Sequence, residues 1–414
     1  MRVAIFTLGC KTNQYESELI RESFEKYGDK IVPFKEEADL YIINSCVVTQ
    51  KAEAETRKAL HFAQRKNPRA KIIITSCFAN LHSDFKSKNT VLYRGERSKI
   101  AEFYHSGTTT PIDLKVEKIS AFAEHTRATV KIEEGCDNFC TFCIVPFVRG
   151  HKIKSKPIEQ TIEEVKGLAE KGYKEIVLTG TEIGKYGEDI GVSLAELLKA
   201  LKKIDGISRI RISSIYPTAV TDALIEEIEP PVVPHLHMSL QSGDDEVLAR
   251  MKRKYTASEY LKIVRKLREK DQNFSISTDI IVGFPGESED AFLNSMKIVK
   301  EVEFSKVHIF RYSRRPFTPA YFMQDTVSEG TKKIRAQRLS EFAKEVQKQY
   351  KERFVQKNVE VLVEEERAGY YSGFTPYYLR VKFTCNRKIN PGDIVSVKAE
   401  SADSDLLYGR CTAG

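Results

Sequence analysis

The stretch Gly135-Cys-Asp-Asn-Phe-Cys-Thr-Phe-Cys-Ile-Val-Pro146 sets three cysteines, Cys136, Cys140 and Cys143, in a C-x3-C-x2-C spacing. Three thiolates are too few for a closed metal centre, because a structural zinc and a fully protein-bound [4Fe–4S] cluster each take four ligands. The loop therefore implies a four-iron cluster with one iron left open to another molecule. The alternative is three ordinary thiols on a turn, which this spacing beside Gly and Pro disfavours.

Around the loop, residues 126–355 repeat a strand-then-helix unit. Strands over 128–134, 175–179, 209–213, 235–240, 274–282 and 306–312 alternate with helices over 157–171, 193–204, 220–228, 256–270 and 288–301, and a long charged helix covers 328–355. This pattern predicts an open, partial (β/α)6 barrel that works at the carboxyl ends of its strands. The cysteine loop falls on that face. Gly180 and Glu182, in Thr179-Gly-Thr-Glu182, end the second strand; the small residue admits a ligand and the carboxylate accepts hydrogen bonds from an ammonium. Ser213 and Ser214 end the third strand, with hydroxyls suited to a ribose, and Gln241 ends the fourth. Arg253 follows, where a guanidinium suits bidentate carboxylate binding. Asp279 opens the glycine-containing end of the fifth, Asp279-Ile-Ile-Val-Gly-Phe-Pro-Gly-Glu287. Any one of these is more often plain surface; their order at successive strand ends is the signal.

Residues 1–125 alternate strands over 2–8, 39–44, 71–75 and 90–93 with helices over 14–28 and 49–66 and another after Arg97. That rhythm predicts a flavodoxin-like parallel sheet covered by helices. Cys10, Cys46 and Cys77 each follow one of the first three strands, and ligand sites in such sheets lie outside the carboxyl ends. Three distant cysteines are thus expected to converge as a second triad. Residues 356–414 change character, with strands over 358–364, 378–383 and 393–399 between Gly, Pro and Asn turns, the pattern of a small all-β barrel. Cys385 and Cys411 in this segment read as small buried or free thiols.

A chain of 414 residues suggests two to four domains. The absence of any apolar run of roughly 18 residues argues against a membrane span, and the strand-like start argues against a signal peptide. Eight cysteines suit a cytoplasmic protein only if several bind metal, since disulfides do not persist there. The net charge is +8. Eight Lys/Arg lie between Lys306 and Arg338 against two acids, interleaved with Phe310, Tyr312, Phe317, Tyr321 and Phe322. Such a strip suits a phosphate backbone with splayed bases, or is simply solvated. Charges in the last segment balance.

The C-x3-C-x2-C loop, with Phe142 before its third cysteine, resembles the signature of radical S-adenosylmethionine (SAM) enzymes. The order of a three-cysteine domain, a radical SAM barrel and a TRAM-like barrel resembles the methylthiotransferases over the whole chain. His237-Met-Ser-Leu-Gln-Ser-Gly243 and Thr278-Asp-Ile-Ile-Val-Gly-Phe-Pro-Gly-Glu287 carry that resemblance. Thr7-Leu-Gly-Cys-Lys-Thr-Asn-Gln-Tyr-Glu16 is most similar to the MtaB-type branch, which acts on N6-threonylcarbamoyladenosine beside the tRNA anticodon. The isopentenyladenosine branch typically has Gly-Cys-Gln-Met-Asn there, and the ribosomal-protein branch Leu-Gly-Cys-Pro-Lys-Asn. Departures are Ile215-Tyr-Pro217 for Ile-Glu-Pro, Thr181 for a second glycine, and the variant Ser313-Arg-Arg-Pro-Phe-Thr318.

The resemblance implies 2-methylthiolation of N6-threonylcarbamoyladenosine at position 37 of tRNA, with two SAM consumed per turnover. Cys136, Cys140 and Cys143 would hold the [4Fe–4S] cluster that cleaves SAM, with Phe142 against its adenine and Glu182 on its amino group. Cys10, Cys46 and Cys77 would hold an auxiliary [4Fe–4S] cluster carrying sulfide. One SAM methylates that sulfur, and the other supplies the radical that removes the C2 hydrogen, a homolysis beyond any side chain. The implied partners are a tRNA anticodon stem-loop and an electron donor such as flavodoxin or ferredoxin. Arg311, Arg314 and Arg315 are candidates for the threonyl carboxylate. Alternatives are the isopentenyladenosine or ribosomal-protein reactions, and an RNA-binding iron–sulfur protein without turnover.

Overall fold

The computed structural model describes residues 1–107, 117–123 and 125–412. The first unit holds β1 (Arg2–Thr7), α1 (Lys11–Lys26), β2 (Lys30–Val32), β3 (Leu40–Ser45), α2 (Gln50–Lys66), β4 (Lys71–Ser76), α3 (Cys77–Leu81), β5 (Thr90–Tyr93) and α4 (Ile100–Ser106). Its strands form one parallel sheet in the order β2-β1-β3-β4-β5. β3 is buried along its whole length because helices cover both faces, which is why Leu40-Tyr-Ile-Ile43 reads as a continuous apolar run. The short edge strand β2 carries no alternation that the sequence could show. α1 begins earlier than its apolar period indicates, because Cys10 occupies the N-cap.

The second unit runs through β6 (Arg127–Lys131), β7 (Glu133–Glu134), α5 (Val145–Arg149), β8 (Lys154–Ser155), α6 (Ile158–Glu170), β9 (Glu175–Thr179), α7 (Leu194–Leu201), β10 (Arg209–Ile212), β11 (Ser214–Ile215), α8 (Asp222–Glu227), β12 (His235–Met238), α9 (Asp245–Arg250), α10 (Ala257–Lys270), β13 (Ser275–Val282), α11 (Glu289–Val302) and β14 (Lys306–Arg311). Parallel sheets β10-β9-β6 and β11-β12-β13-β14 are joined by the bridge Ile210↔Val232, giving an open arc of strands. Capping boxes at Ser193/Glu196 and Thr256/Glu259 start α7 and α10. Alternate residues such as Val130, Ile176, Leu178, Ile210, Leu236, Ile276 and Ile280 enter the core beneath the helices. The other set, including Arg127, Thr129, Glu175, Arg211, His237 and Asp279, faces the hollow of the arc, because side chains along a strand have a period of two.

The helix α12 (Glu329–Glu352) leads to a closed barrel, β15 (Asn358–Arg367), β16 (Tyr370–Phe374), β17 (Arg380–Thr384), β18 (Ile394–Ala402) and β19 (Leu406–Cys411), in the order β15-β16-β17-β19-β18. Pattern alone indicates three of these five strands; Tyr370–Phe374 and Leu406–Cys411, which contain Gly373 and Gly409, are additional to them. Both glycines are required by packing, since a Cβ would lie 1.9 Å from the Leu362 carbonyl oxygen at Gly373 and 2.2 Å from that of Lys398 at Gly409. Cys385 and Cys411 are free, half-buried thiols beside one another.

Candidate active site

The first cysteine set stands at the carboxyl ends of three adjacent strands. Cys10 precedes α1, Cys46 follows β3 directly, and Cys77 opens α3. Gly9 (φ +109°) makes the approach possible: a Cβ there would lie 2.9 Å from the Cβ of Cys46. Ser76 turns into the left-handed region (φ 64°) to deliver Cys77.

The second set lies on a loop pinned from several sides. The Cys136 amide donates to the Gly150 carbonyl (3.1 Å), the Thr141 amide to Met251 (3.1 Å), and the Ala320 amide to Thr141 (2.8 Å). Gly135 (φ +109°) lets the Lys152 carbonyl approach to where a Cβ would stand.

Both sets have the chemistry of a cluster cradle. All six cysteines are free. Burial pushes the thiols of Cys77, Cys136 and Cys143 up to about 12, and neighbouring cysteines of the same set push in the same direction. Groups this reluctant to ionise alone become thiolates against iron, whose charge offsets the desolvation. Among the described residues no three His, Cys, Asp or Glu side chains close on a point as a single-ion site does. A cluster carries its ligands on separate irons and does not require that closure.

One guanidinium joins the two sets. Arg149, at the end of α5 just beyond the second set, ion-pairs with Glu16 and with Glu134 (3.3 Å) and donates to Asn13 Oδ1 (2.6 Å). Glu16 and Asn13 belong to the helix that Cys10 caps. Asn13 in turn donates to the Ser45 carbonyl beside Cys46 (2.9 Å), and Glu16 accepts from Ser76 beside Cys77 (2.6 Å). A cavity of about 180 Å³ opens beside the second set, lined by Phe142, Cys143, Gln241, Asp279 and Arg311 and, from the loop that follows Cys46, by Val48 and Thr49.

Other predicted residues take definite places around this centre. Glu182 is buried, accepting from Asn138 Nδ2 and the Tyr216 amide (both 3.2 Å); burial raises its carboxyl. It borders a second cavity of about 350 Å³ with Asn138, Lys185 and Tyr216. Gly180 packs on buried Glu133, which would meet a Cβ there at 2.5 Å. Gln241 sits at φ 69°, and Asp279 accepts from His237 (3.1 Å) and Ser239 (3.0 Å). Ser213 is buried and Ser214 exposed.

Arg253 is already committed. It donates to the Ser239 carbonyl (2.7 Å), the Tyr255 hydroxyl (2.9 Å) and the Cys140 sulfur (3.4 Å), and lies 4.0 Å over the Tyr216 ring. It therefore braces the cysteine loop, while one N–H on each terminal nitrogen stays outside these bonds.

The three arginines after β14 separate sharply. Arg315 is 3% exposed and pairs with Glu53 of α2 at 2.6 Å, so it fastens the arc to the first sheet and offers no charge to a substrate. Arg314 is exposed, on the Tyr321 and Met323 carbonyls. Arg311 lines the cavity beside Cys143, with Glu329 at 3.8 Å. The basic strip is also largely neutralised: Lys306 pairs with Asp405, Lys332 with Asp325 and Glu329, Arg335 with Glu287 and Glu289, and Arg338 with Glu289. Asp325 and Glu329 belong to the strip itself, whereas Glu287, Glu289 and Asp405 come from outside it, which a linear count cannot show.

Arg149, Asn13, Glu16 and Glu133 are absent from the sequence-derived site. The available signal was charge at positions the strand and helix patterns make apolar or buried.

The surrounding chain supports this centre. Residues 130–299 match the model of the radical SAM superfamily, and residues 2–92 that of the uncharacterized protein family UPF0004. The chain is 43% identical to the threonylcarbamoyladenosine tRNA methylthiotransferase MtaB of Thermotoga maritima, over 97% of this chain and 95% of that protein. It is 36% identical to a tRNA-2-methylthio-N(6)-dimethylallyladenosine synthase of Clostridium novyi, over 88% and 85%. The radical SAM methyltransferase TsrM of Kitasatospora setae shares the fold, with a TM-score of 0.58 at 13% identity over 77% of this chain and 74% of that one. With two sets of three free cysteines and relatives matched nearly end to end, the chain belongs to the radical SAM tRNA methylthiotransferase family.

Proposed function

We propose that this enzyme places a methylthio group on C2 of N6-threonylcarbamoyladenosine at position 37 of tRNA. The observation that carries the reading is the cavity bounded by Val48 and Thr49 behind Cys46 on one side and by Cys143 on the other, with Arg149 holding both sets in place. Replacement of a C–H by sulfur would draw on both clusters, one to supply the radical and the other the sulfur. When bound, two [4Fe–4S] clusters and two SAM supply the radical and the sulfur. The chain's own residues position and exclude. Cys10, Cys46 and Cys77 hold one cluster and Cys136, Cys140 and Cys143 the other. Phe142, Gln241 and Asp279 line the SAM side, and Glu182 takes its ammonium. The adenine must leave the anticodon stack, at a cost of a few kcal/mol.

The assignment to the threonylcarbamoyl substrate rests on Cys10-Lys-Thr-Asn13 and on the relatives' names. The parallel order β2-β1-β3-β4-β5 supports a flavodoxin-like first domain (1–125), the arc a partial radical SAM barrel (126–355), and the closed five-stranded barrel a TRAM-like domain (356–414). No helix among the described residues is long and apolar enough to cross a membrane; a cytoplasmic enzyme reduced by flavodoxin or ferredoxin fits.

Anaerobically reconstituted enzyme, given dithionite, SAM and total tRNA, should form 2-methylthio-N6-threonylcarbamoyladenosine by mass spectrometry and hold about eight iron per chain. The Cys136→Ala/Cys140→Ala/Cys143→Ala variant should keep about half that iron and lose SAM cleavage. The Cys10→Ala/Cys46→Ala/Cys77→Ala variant should still yield 5′-deoxyadenosine but no product. Product on isopentenyladenosine tRNA alone would move the enzyme to the other branch.

A further inference from the structure

All three units meet around a polar cleft of about 590 Å³ that runs from Cys10 to Tyr378 of the last barrel, with Lys11, Gln14, Thr126 and Arg127 in its wall. That volume is in the usual range for a small-molecule site. Lys11, Arg127 and Arg380 line it beside Glu364 and Glu365, with Arg211 behind the Tyr378 ring, and the three arginines are spent. Arg127 pairs with Glu364 at 2.7 Å, Arg211 with Glu175 at 2.8 Å behind the Tyr378 ring, and Arg380 with Glu365. Lys11 has only the ring face of Tyr378, 5.6 Å from its Nζ, and makes no ion pair among the described residues. The Thr126 hydroxyl in the same wall is buried without a hydrogen-bond partner.

A partly enclosed ammonium without an acid and an unpaired hydroxyl together form half of an anion site, since a desolvated carboxylate needs a cation or several donors. The position is specific. Lys11 directly follows Cys10, and its ammonium reaches from that cysteine toward the Tyr378 ring of the last barrel. We infer that this cleft receives the anionic N6 substituent of the target nucleoside, with Lys11 as the residue that binds its carboxylate and Thr126 as a second contact. This rests on the proposed function, and it assigns to Lys11 a role otherwise open to Arg311 and Arg314.

A carboxylate on the base and a backbone phosphate would both attract Lys11, and the test separates them. Affinities of two anticodon stem-loops for reconstituted enzyme are measured by fluorescence titration, one with N6-threonylcarbamoyladenosine and one with unmodified adenosine at the same position. Lys11→Ala should weaken binding of the first by about ten- to a hundredfold, the range of a lost charged hydrogen bond. It should leave the second unchanged, and Lys11→Arg should recover most of the loss. Iron content must match the wild type, a readout that a merely structural role beside Cys10 would move. Equal weakening on both RNAs would assign Lys11 to the phosphate backbone, and no weakening on either would remove it from the site; each overturns the inference. Failure of the wild type to modify threonylcarbamoylated tRNA would instead overturn the substrate reading beneath it.

Discussion

Arg149 shows how much a single residue decides. Burial alone pushes the Glu16 carboxyl up, but Arg149, Arg97 and Lys131 outweigh it and hold Glu16 well below the usual carboxylate range. The stability this contributes is present above the unfolded carboxylate value and is lost as pH falls through the depressed one. Removing Arg149 leaves Glu16 and Glu134 buried with less compensation. Arg149→Ala is therefore expected to destabilise the protein by about 3–5 kcal/mol in denaturant titrations, the range for breaking a buried pair. Arg149→Lys keeps the charge but not the fork that reaches Glu16 and Asn13 at once, so it should recover only part. If both variants unfold like the wild type, the clamp is not what joins the two sets.

At the level of elements, the loop before α5 and the turn after β14 together build a row of exposed rings that neither makes alone. Phe139 lies 6.0 Å from His151 and 6.2 Å from Phe147, and Phe147 lies 6.4 Å from Phe317. Phe139 and Phe317 are 40% and 61% exposed and both hold positive φ, a costly way to point an aromatic at solvent. Rings of this kind stack on unpaired bases, at about 1–3 kcal/mol per base. Phe147→Ala and Phe317→Ala should weaken anticodon stem-loop binding by that order at constant iron content. Undiminished affinity in the double variant would show the rings to be only a cover for the cysteine loop.

Over the whole molecule, the last barrel is docked at the amino-terminal ends of the arc's strands, opposite the cysteine loop. Arg209 donates to the Phe374 carbonyl (2.8 Å) and Glu360 (2.8 Å), and Arg211 to the carbonyls of Pro376 (3.1 Å) and Thr375 (3.3 Å). Lys351 at the end of α12 adds a contact to the Ser404 carbonyl (2.8 Å). Burial, helped by nearby Lys306, lowers the Lys351 ammonium to about 8. A depressed folded value means that the unfolded chain binds more protons above it, so stability rises with pH from about 8 to the ordinary lysine range near 10.4. The gain should be of the order of 2–3 kcal/mol. Thermal or denaturant unfolding of wild type against Lys351→Met across that window should show the rise only in the wild type; parallel curves would refute it.

The sequence by itself determined the local order. The run Leu40-Tyr-Ile-Ile43, the capped helices and the C-x3-C-x2-C loop are set by period, cap and spacing, all of which act within a few residues. It also indicated that Cys10, Cys46 and Cys77 meet, because strands that follow one another in a parallel sheet bring their carboxyl ends together. Tertiary structure alone decided which charges remain free. Arg311, Arg314 and Arg315 look alike along the chain, yet Arg315 is neutralised by Glu53 across 262 positions, and Lys11 makes no ion pair among the described residues. The same holds for β16 and β19, where neighbouring carbonyls fill the space a side chain would occupy at Gly373 and Gly409. Burial and pairing are properties of neighbours in space, and the chain order does not fix those until the units have packed.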